Sequence, residues 1–210
     1  MQRQVGRNPM DRLNLAVLIS GSGSNLQALI DACANSDFPA QIVLVISNNP
    51  DAYGLQRARD AGIKTAIINH KDFDNRAAFE DEIQAALDKQ PIDLICLAGF
   101  MRILTAGFVE RWPQRILNTH PSLLPKFGGE GMYGHHVHQA VIDAGEAESG
   151  CSIHYVIPEV DQGPVIIQKT VKVMPEDTAE TLAERVIARE HIAYPEAVRL
   201  LADEKLKKRA

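Results

Sequence analysis

The sequence predicts one open α/β domain: a doubly wound, mostly parallel sheet with helices on both faces, an antiparallel hairpin towards the C-terminal end and a long closing helix. Three observations predict it. Short apolar, β-branched runs alternate with segments of helical spacing as far as Asn118, the pattern of parallel strands joined by right-handed crossovers. Beyond Asn118 two β-rich runs are joined by residues 158–164, too short for a crossover helix, so they pair antiparallel. The length, 210 residues, suits one sizeable core and is short for two.

In chain order, residues 13–20 form an apolar run that stops at a Gly/Ser cluster, and Leu26, Leu29 and Ile30 give helical spacing to 25–34. A strand over 41–47 leads through Asn-Asn-Pro-Asp to a helix over 53–61, stopped by Gly62. Residues 65–68 are a third strand. Ala77, Phe79, Ile83 and Leu87 mark a helix over 76–89. Strands at 94–98 and 115–119 flank a short helix at 105–111. After a Pro/Gly-rich loop come a helix over 135–144, strands over 152–157 and 165–173, and an amphipathic helix over 179–201 whose lysine-rich continuation is expected to fray. The domain is set at 13–205, and residues 1–10 are read as a disordered extension, with Met10 an alternative start.

Lys and Arg number 22 against 27 Asp and Glu, a formal charge of −5, which offers no general attraction to nucleic acid or an anionic membrane. Any bound phosphate must be caught locally. Cys33, Cys96 and Cys151 are far apart and form no Cys-x-x-Cys pair, which fits reduced thiols of a cytoplasmic protein better than disulfides or a zinc site. His135, His136 and His138 lack partners at metal-ligand spacing, so no metal is expected. The partners expected are small molecules, with no nucleic acid and no membrane, for a monomer or homodimer.

Ligands of open α/β sheets collect beyond the carboxyl ends of the strands, where 21–25, 99–104 and 118–125 fall. Ser20-Gly-Ser-Gly-Ser-Asn25 lies between a strand and a helix. It reads either as an anion-binding turn, where a side chain at Gly23 would obstruct the phosphate, or as a tight turn capped by Ser24. It lacks the Lys-Ser/Thr of a Walker loop, and Leu26 fills the third glycine position of the dinucleotide fingerprint. Asn118 and His120 alternate around Thr119, so on a strand both point to one side: an amide that can donate to an oxyanion beside a ring that can hold a proton. A strand-end histidine bonded to backbone is the plainer alternative. Asp161 reads as a hairpin-turn residue or as a carboxylate that orients His120 and favours its charged form, and spacing does not decide.

Six segments in register carry a resemblance. They are Ile19-Ser-Gly-Ser-Gly-Ser-Asn25, Leu97-Ala-Gly-Phe-Met-Arg-Ile-Leu104, Asn118-Thr-His-Pro-Ser-Leu-Leu-Pro-Lys126, Gly150-Cys-Ser-Ile-His154, Val160-Asp-Gln-Gly-Pro-Val-Ile166 and Glu190-His191. With these the chain resembles the phosphoribosylglycinamide formyltransferase family over nearly its whole length, which implies the formyltransferase fold. The resemblance implies transfer of a formyl group from 10-formyltetrahydrofolate, as co-substrate and without metal, to the amine of glycinamide ribonucleotide in purine biosynthesis. It implies a catalytic trio of Asn118, His120 and Asp161, and ribonucleotide binding by Gly23, Ser24, Asn25 and Glu190. Folate contacts are implied for Arg76, Met101, Arg102, Ile103, Leu104, Asn118, Ile157, Pro158, Glu159, Val160 and Asp161, and a cis peptide for Leu124-Pro125. The departure is the long loop Gly128-Gly-Glu-Gly-Met-Tyr-Gly134, which puts the local ligand contacts in doubt.

Two other formyl-folate enzymes compete, the transformylase of initiator methionyl-tRNA and the formyltetrahydrofolate hydrolase. The first would need an added C-terminal domain with a basic surface and the second an added N-terminal domain, and neither is expected here. A non-catalytic nucleotide-binding module would leave the Asn118, His120 and Asp161 pattern unused.

Overall fold

The computed structural model describes residues 12–209, so the expected extension at 1–10 lies outside the described residues. Seven strands form one sheet in the order β3-β2-β1-β4-β5-β6-β7. They are β1 (Leu13–Ile19), β2 (Ala40–Ser47), β3 (Thr65–Ile67), β4 (Leu94–Leu97), β5 (Ile116–His120), β6 (Glu148–Tyr155) and β7 (Val165–Lys172). The first five pair in parallel, while β6 pairs antiparallel with both β5 and β7.

The helices are α1 (Ser24–Ala34), α2 (Gly54–Asp60), α3 (Arg76–Leu87), α4 (Ala106–Glu110), α5 (His135–Asp143) and α6 (Ala179–Arg209). Strand alternation divides the core between the two faces of the sheet. Leu13, Leu15, Val17 and Ile19 of β1 join one cluster with α1, α2, α5 and α6, whereas Ala16 and Leu18 join a second with α3 and α4. Both faces are thus covered, as the unbroken apolar strands require.

Three boundaries differ from expectation for identifiable reasons. A short 3-10 turn, His70–Asp72, is capped by Asn69, which accepts from the Lys71 amide. Strand β6 starts at Glu148 rather than 152, through small residues that carry no strand signal. At Gly150 a Cβ would lie 2.0 Å from the Lys169 carbonyl oxygen, so only glycine permits the pairing. Helix α6 runs on to Arg209, because Leu206 packs on the core and Lys208 meets Glu204 one turn away at 2.7 Å. Pro195 lies inside α6, next to the fully buried Tyr194, whose hydroxyl lies 3.1 Å from the carbonyls of both Leu97 and Leu117. That contact ties the helix to β4 and β5.

Candidate active site

Sheet order reverses direction between β1 and β4, and the crevice at such a switch point is where open sheets hold ligands. Ser20, just past β1, closes one side of it. Its amide donates to Gly99 O at 3.1 Å, and its hydroxyl accepts from the Met101 amide at 2.8 Å. The loop after β4 is thereby docked on the turn after β1.

In that turn Gly23, at φ 70, is the N-cap of α1, with no side-chain cap. Ser24 is the first helical residue rather than the cap. The first-turn amides of α1 therefore receive no side-chain cap from the residue that precedes them. A Cβ at Gly23 would lie 2.6 Å from the Gly54 Cα, so a side chain there displaces α2 before it meets any phosphate.

Asn118 and His120 lie on one face of β5 and Thr119 on the other, as alternation dictates. His120 is 4% exposed; its Nε2 donates to Phe127 O at 2.8 Å and its Nδ1 lies 3.4 Å from Asp161 Oδ2. A ring with one proton serves only one of those two acceptors, while the imidazolium serves both. Asp161 sits at φ 57 in the turn between β6 and β7, so it is both a turn residue and the carboxylate beside His120. The Gly129 amide donates to the same Oδ2 at 3.0 Å.

His154 completes this group and had drawn no role from the sequence. It pairs across the strands with Asn118, whose Nδ2 donates to His154 Nε2 at 3.2 Å. His154 Nδ1 donates to Tyr155 O at 2.9 Å, and Asp161 Oδ1 stands 3.6 Å from Nε2. Burial holds its imidazole below the ordinary range, although the Tyr155 carbonyl and Asp161 oppose that shift, so His154 acts as a neutral acceptor that orients the Asn118 amide. A Gly-Cys-Ser-Ile-His run offers no sign of this without the register of β5 against β6.

On the opposite face Thr119 Oγ1 donates to Glu190 Oε1 at 2.9 Å and Asn25 Nδ2 to Oε2 at 2.8 Å. Glu190 is 5% exposed, and burial pushes its carboxyl above the usual range against the pull of those two bonds. Three elements meet here, the first turn of α1, the end of β5 and α6, and Asn25 Oδ1 is buried without a partner.

Leu124-Pro125 is cis. The loop that contains it is braced by Ser152 and Gln168, which bond Ser122 O at 2.6 Å and Leu124 O at 2.9 Å. A cavity of about 470 Å³ opens between this loop and the β6–β7 turn, lined in part by Leu124, Gly128, Gly129, Val160, Asp161 and Val165. Among the other residues expected to touch folate, Met101, Arg102 and Ile103 are exposed beside Ser20, and Leu104 is buried. Arg76 is exposed at the first turn of α3, Ile157 is half-buried, and Pro158 and Glu159 are exposed. Among the described residues no group of three or more His, Cys, Asp or Glu is placed to hold a metal, and no helix is long and apolar enough to cross a membrane.

Fold and site define a class: an open α/β sheet with its switch point between β1 and β4, where an amide and an imidazole on β5 meet a second imidazole on β6 and a carboxylate in the β6–β7 turn. Within that class the chain belongs to the formyl transferase family, whose model matches residues 13–198. It is 44% identical over 195 residues to the phosphoribosylglycinamide formyltransferase of Escherichia coli, covering 93% of this chain and 90% of that protein. It is 48% identical to part of the trifunctional purine biosynthetic protein adenosine-3 of Drosophila melanogaster, covering 91% of this chain but only 14% of that longer protein. A crystal structure of glycinamide ribonucleotide transformylase 1 from Symbiobacterium toebii superposes with a TM-score of 0.88 at 40% identity, over 96% of this chain and 94% of that one.

Proposed function

We propose that the enzyme transfers the formyl group of 10-formyltetrahydrofolate to the amine of glycinamide ribonucleotide, giving formylglycinamide ribonucleotide and tetrahydrofolate in purine biosynthesis. The observation that carries this reading is the meeting of Asn118, His120 and Asp161 beside the cavity, while Glu190 and the uncapped turn of α1 lie across the same strand. One face suits acyl transfer and the other suits a polar, phosphorylated substrate.

In this mechanism the amine nitrogen attacks the formyl carbon and negative charge builds on the formyl oxygen. The Asn118 amide, held by His154, donates one hydrogen to that oxygen. His120 donates a second, using the hydrogen now given to Phe127 O. Asp161 keeps the His120 ring oriented and positions a water that carries a proton from the attacking amine nitrogen to the departing folate nitrogen. The C–N bond to folate then breaks, and proton and bond counts balance with no metal.

The ribonucleotide is held by Gly23, Ser24, Asn25 and Glu190, its phosphate at the α1 turn. The folate lies along Met101 to Leu104, Arg76 and residues 157–161. The reduced thiols agree with a cytoplasmic setting, and burial pushes Cys96 and Cys151 up to about 12, where they are inert. The domain is assigned to 13–205, working as a monomer or homodimer. A formyl-transfer assay with 10-formyltetrahydrofolate and candidate amines tests the reading. Product with glycinamide ribonucleotide alone supports it; formate release without an amine acceptor points to the hydrolase, and formylation only of methionyl-tRNA to the tRNA enzyme.

A further inference from the structure

A phosphate at the α1 turn needs more than amide donors in a chain of net charge −5, because the surrounding field is unfavourable to a dianion. Arg57, on α2, supplies a fixed positive charge there. Its Nε donates to Ser22 O at 2.9 Å and its Nη1 to Gln27 Oε1 at 3.1 Å, so the guanidinium spans the turn from the loop to the first turn of α1. A Cβ built on Gly23 would lie 3.5 Å from Arg57 Cδ, and Gly54 N donates to Gly21 O at 3.0 Å, which fixes α2 against the same loop. The guanidinium also lies over the Tyr53 ring, 4.9 Å from its centroid, which limits its freedom before any ligand arrives.

Two buried polar atoms on α1 and α6 lack a hydrogen-bond partner. Asn25, 7% exposed and in the first turn of α1, has a buried Oδ1 without a hydrogen-bond partner. His191, on α6, has a buried Nε2 in the same condition, and its imidazole is pushed below the ordinary range by burial and then by the charge of Arg57. An arginine, an unpaired imidazole nitrogen and the first-turn amides of α1 therefore converge from three helices.

We propose that Arg57 is the charge partner of the ribonucleotide phosphate, its guanidinium held across the α1 turn by Ser22 and Gln27. The inference rests on the phosphate site proposed above. Its planar fork suits phosphate oxygens, and its bond to Ser22 O leaves further N–H groups for the ligand.

Arg57→Gln tests this, since glutamine keeps a donor for Ser22 O while it removes the charge, along with the contacts to Gln27 and the Tyr53 ring. Calorimetric binding of glycinamide ribonucleotide is expected to weaken roughly ten- to a hundredfold, the range of a hydrogen bond to a charged group. The ribonucleoside without the phosphate is expected to bind the variant and the wild type equally, and the salt dependence of ribonucleotide binding to become shallower in the variant. Arg59→Gln removes the same charge from the same helix at an exposed position bonded to Gln56, and should behave as wild type. Equal weakening of both ligands, unchanged ribonucleotide binding in Arg57→Gln, or equal weakening in Arg59→Gln would each overturn the proposal. Wild-type protein that binds the ribonucleotide but transfers no formyl group defeats the proposed function and leaves the arginine contrast standing; no binding by the wild type defeats both.

Discussion

The two faces of β5 each bury a carboxylate, and they treat it in opposite ways. Asp161 stands between two imidazoles, 3.4 Å from His120 and 3.6 Å from His154, and accepts a backbone amide as well. Glu190 has only the neutral donors of Asn25 and Thr119, and burial pushes its carboxyl upward. A carboxylate beside titratable rings is placed to steer protons. One surrounded by neutral donors is placed to recognise a polar ligand, at a cost in stability when ionised. In the proposed function, residues one apart in sequence thus serve chemistry and binding separately.

Substitutions on the Asn118 face test the chemical half of this contrast and are expected to have the largest effects. Asn118→Ala removes an oxyanion donor, and turnover is expected to fall about a hundred- to a thousandfold. Asp161→Asn keeps the shape and the turn conformation at φ 57 but removes the charge facing His120; a fall of roughly a hundredfold in kcat is expected, with KM for both substrates nearly unchanged. Steady-state kinetics on both variants settle the matter. A loss confined to KM would move these residues to the binding side.

Glu190→Gln tests the other half, and the expected signature is reversed. KM for the ribonucleotide should rise about tenfold while kcat changes little, since a charged acceptor has been exchanged for a neutral one. Stability should respond too. Because the folded carboxyl lies above its unfolded value, its contribution is fully present below about pH 4.3 and is lost as pH rises through the folded value. The variant lacks that loss, so its thermal midpoint should gain on the wild type as pH rises above about 4.3. A difference between the two curves that does not vary with pH would refute the assignment.

The smallest expected effect comes from His138, a buried histidine outside both faces. Burial, then the charges of His135 and His120, lower it to about 4. Here the sign is opposite: stability is fully present above the unfolded value of about 6.5 and lost as pH falls towards 4. NMR titration should show its ring neutral down to about pH 5, and His138→Phe should flatten the acid limb of the stability curve by a few degrees. A ring that titrates near its ordinary value would remove His138 from the account.

Much of the site was legible because strand periodicity is a local property. Asn118 and His120 had to share a face once β5 was a strand, and the Gly/Ser run had to open a helix where α1 begins. Asp161 was ambiguous because a left-handed turn residue and a site carboxylate have the same sequence signature, and the structure shows it is both. His154 drew no role, since its place opposite Asn118 depends on the register of β6, which began four residues earlier than its small residues suggested. Thr119, read only as a spacer, proved to be a donor to a glutamate 71 residues away.

The sequence by itself determined the order of strands and helices, the split of apolar side chains between two faces, and the strand end where polar groups gather, because alternation and helical spacing act over a few residues. Tertiary structure alone decided which carboxylate meets which imidazole and where the arginine of α2 lies. The bond from Asn25 to Glu190 spans 165 residues of chain. Contacts of that range are set by sheet order and register, which arise from packing the whole domain and leave no short-range pattern to read.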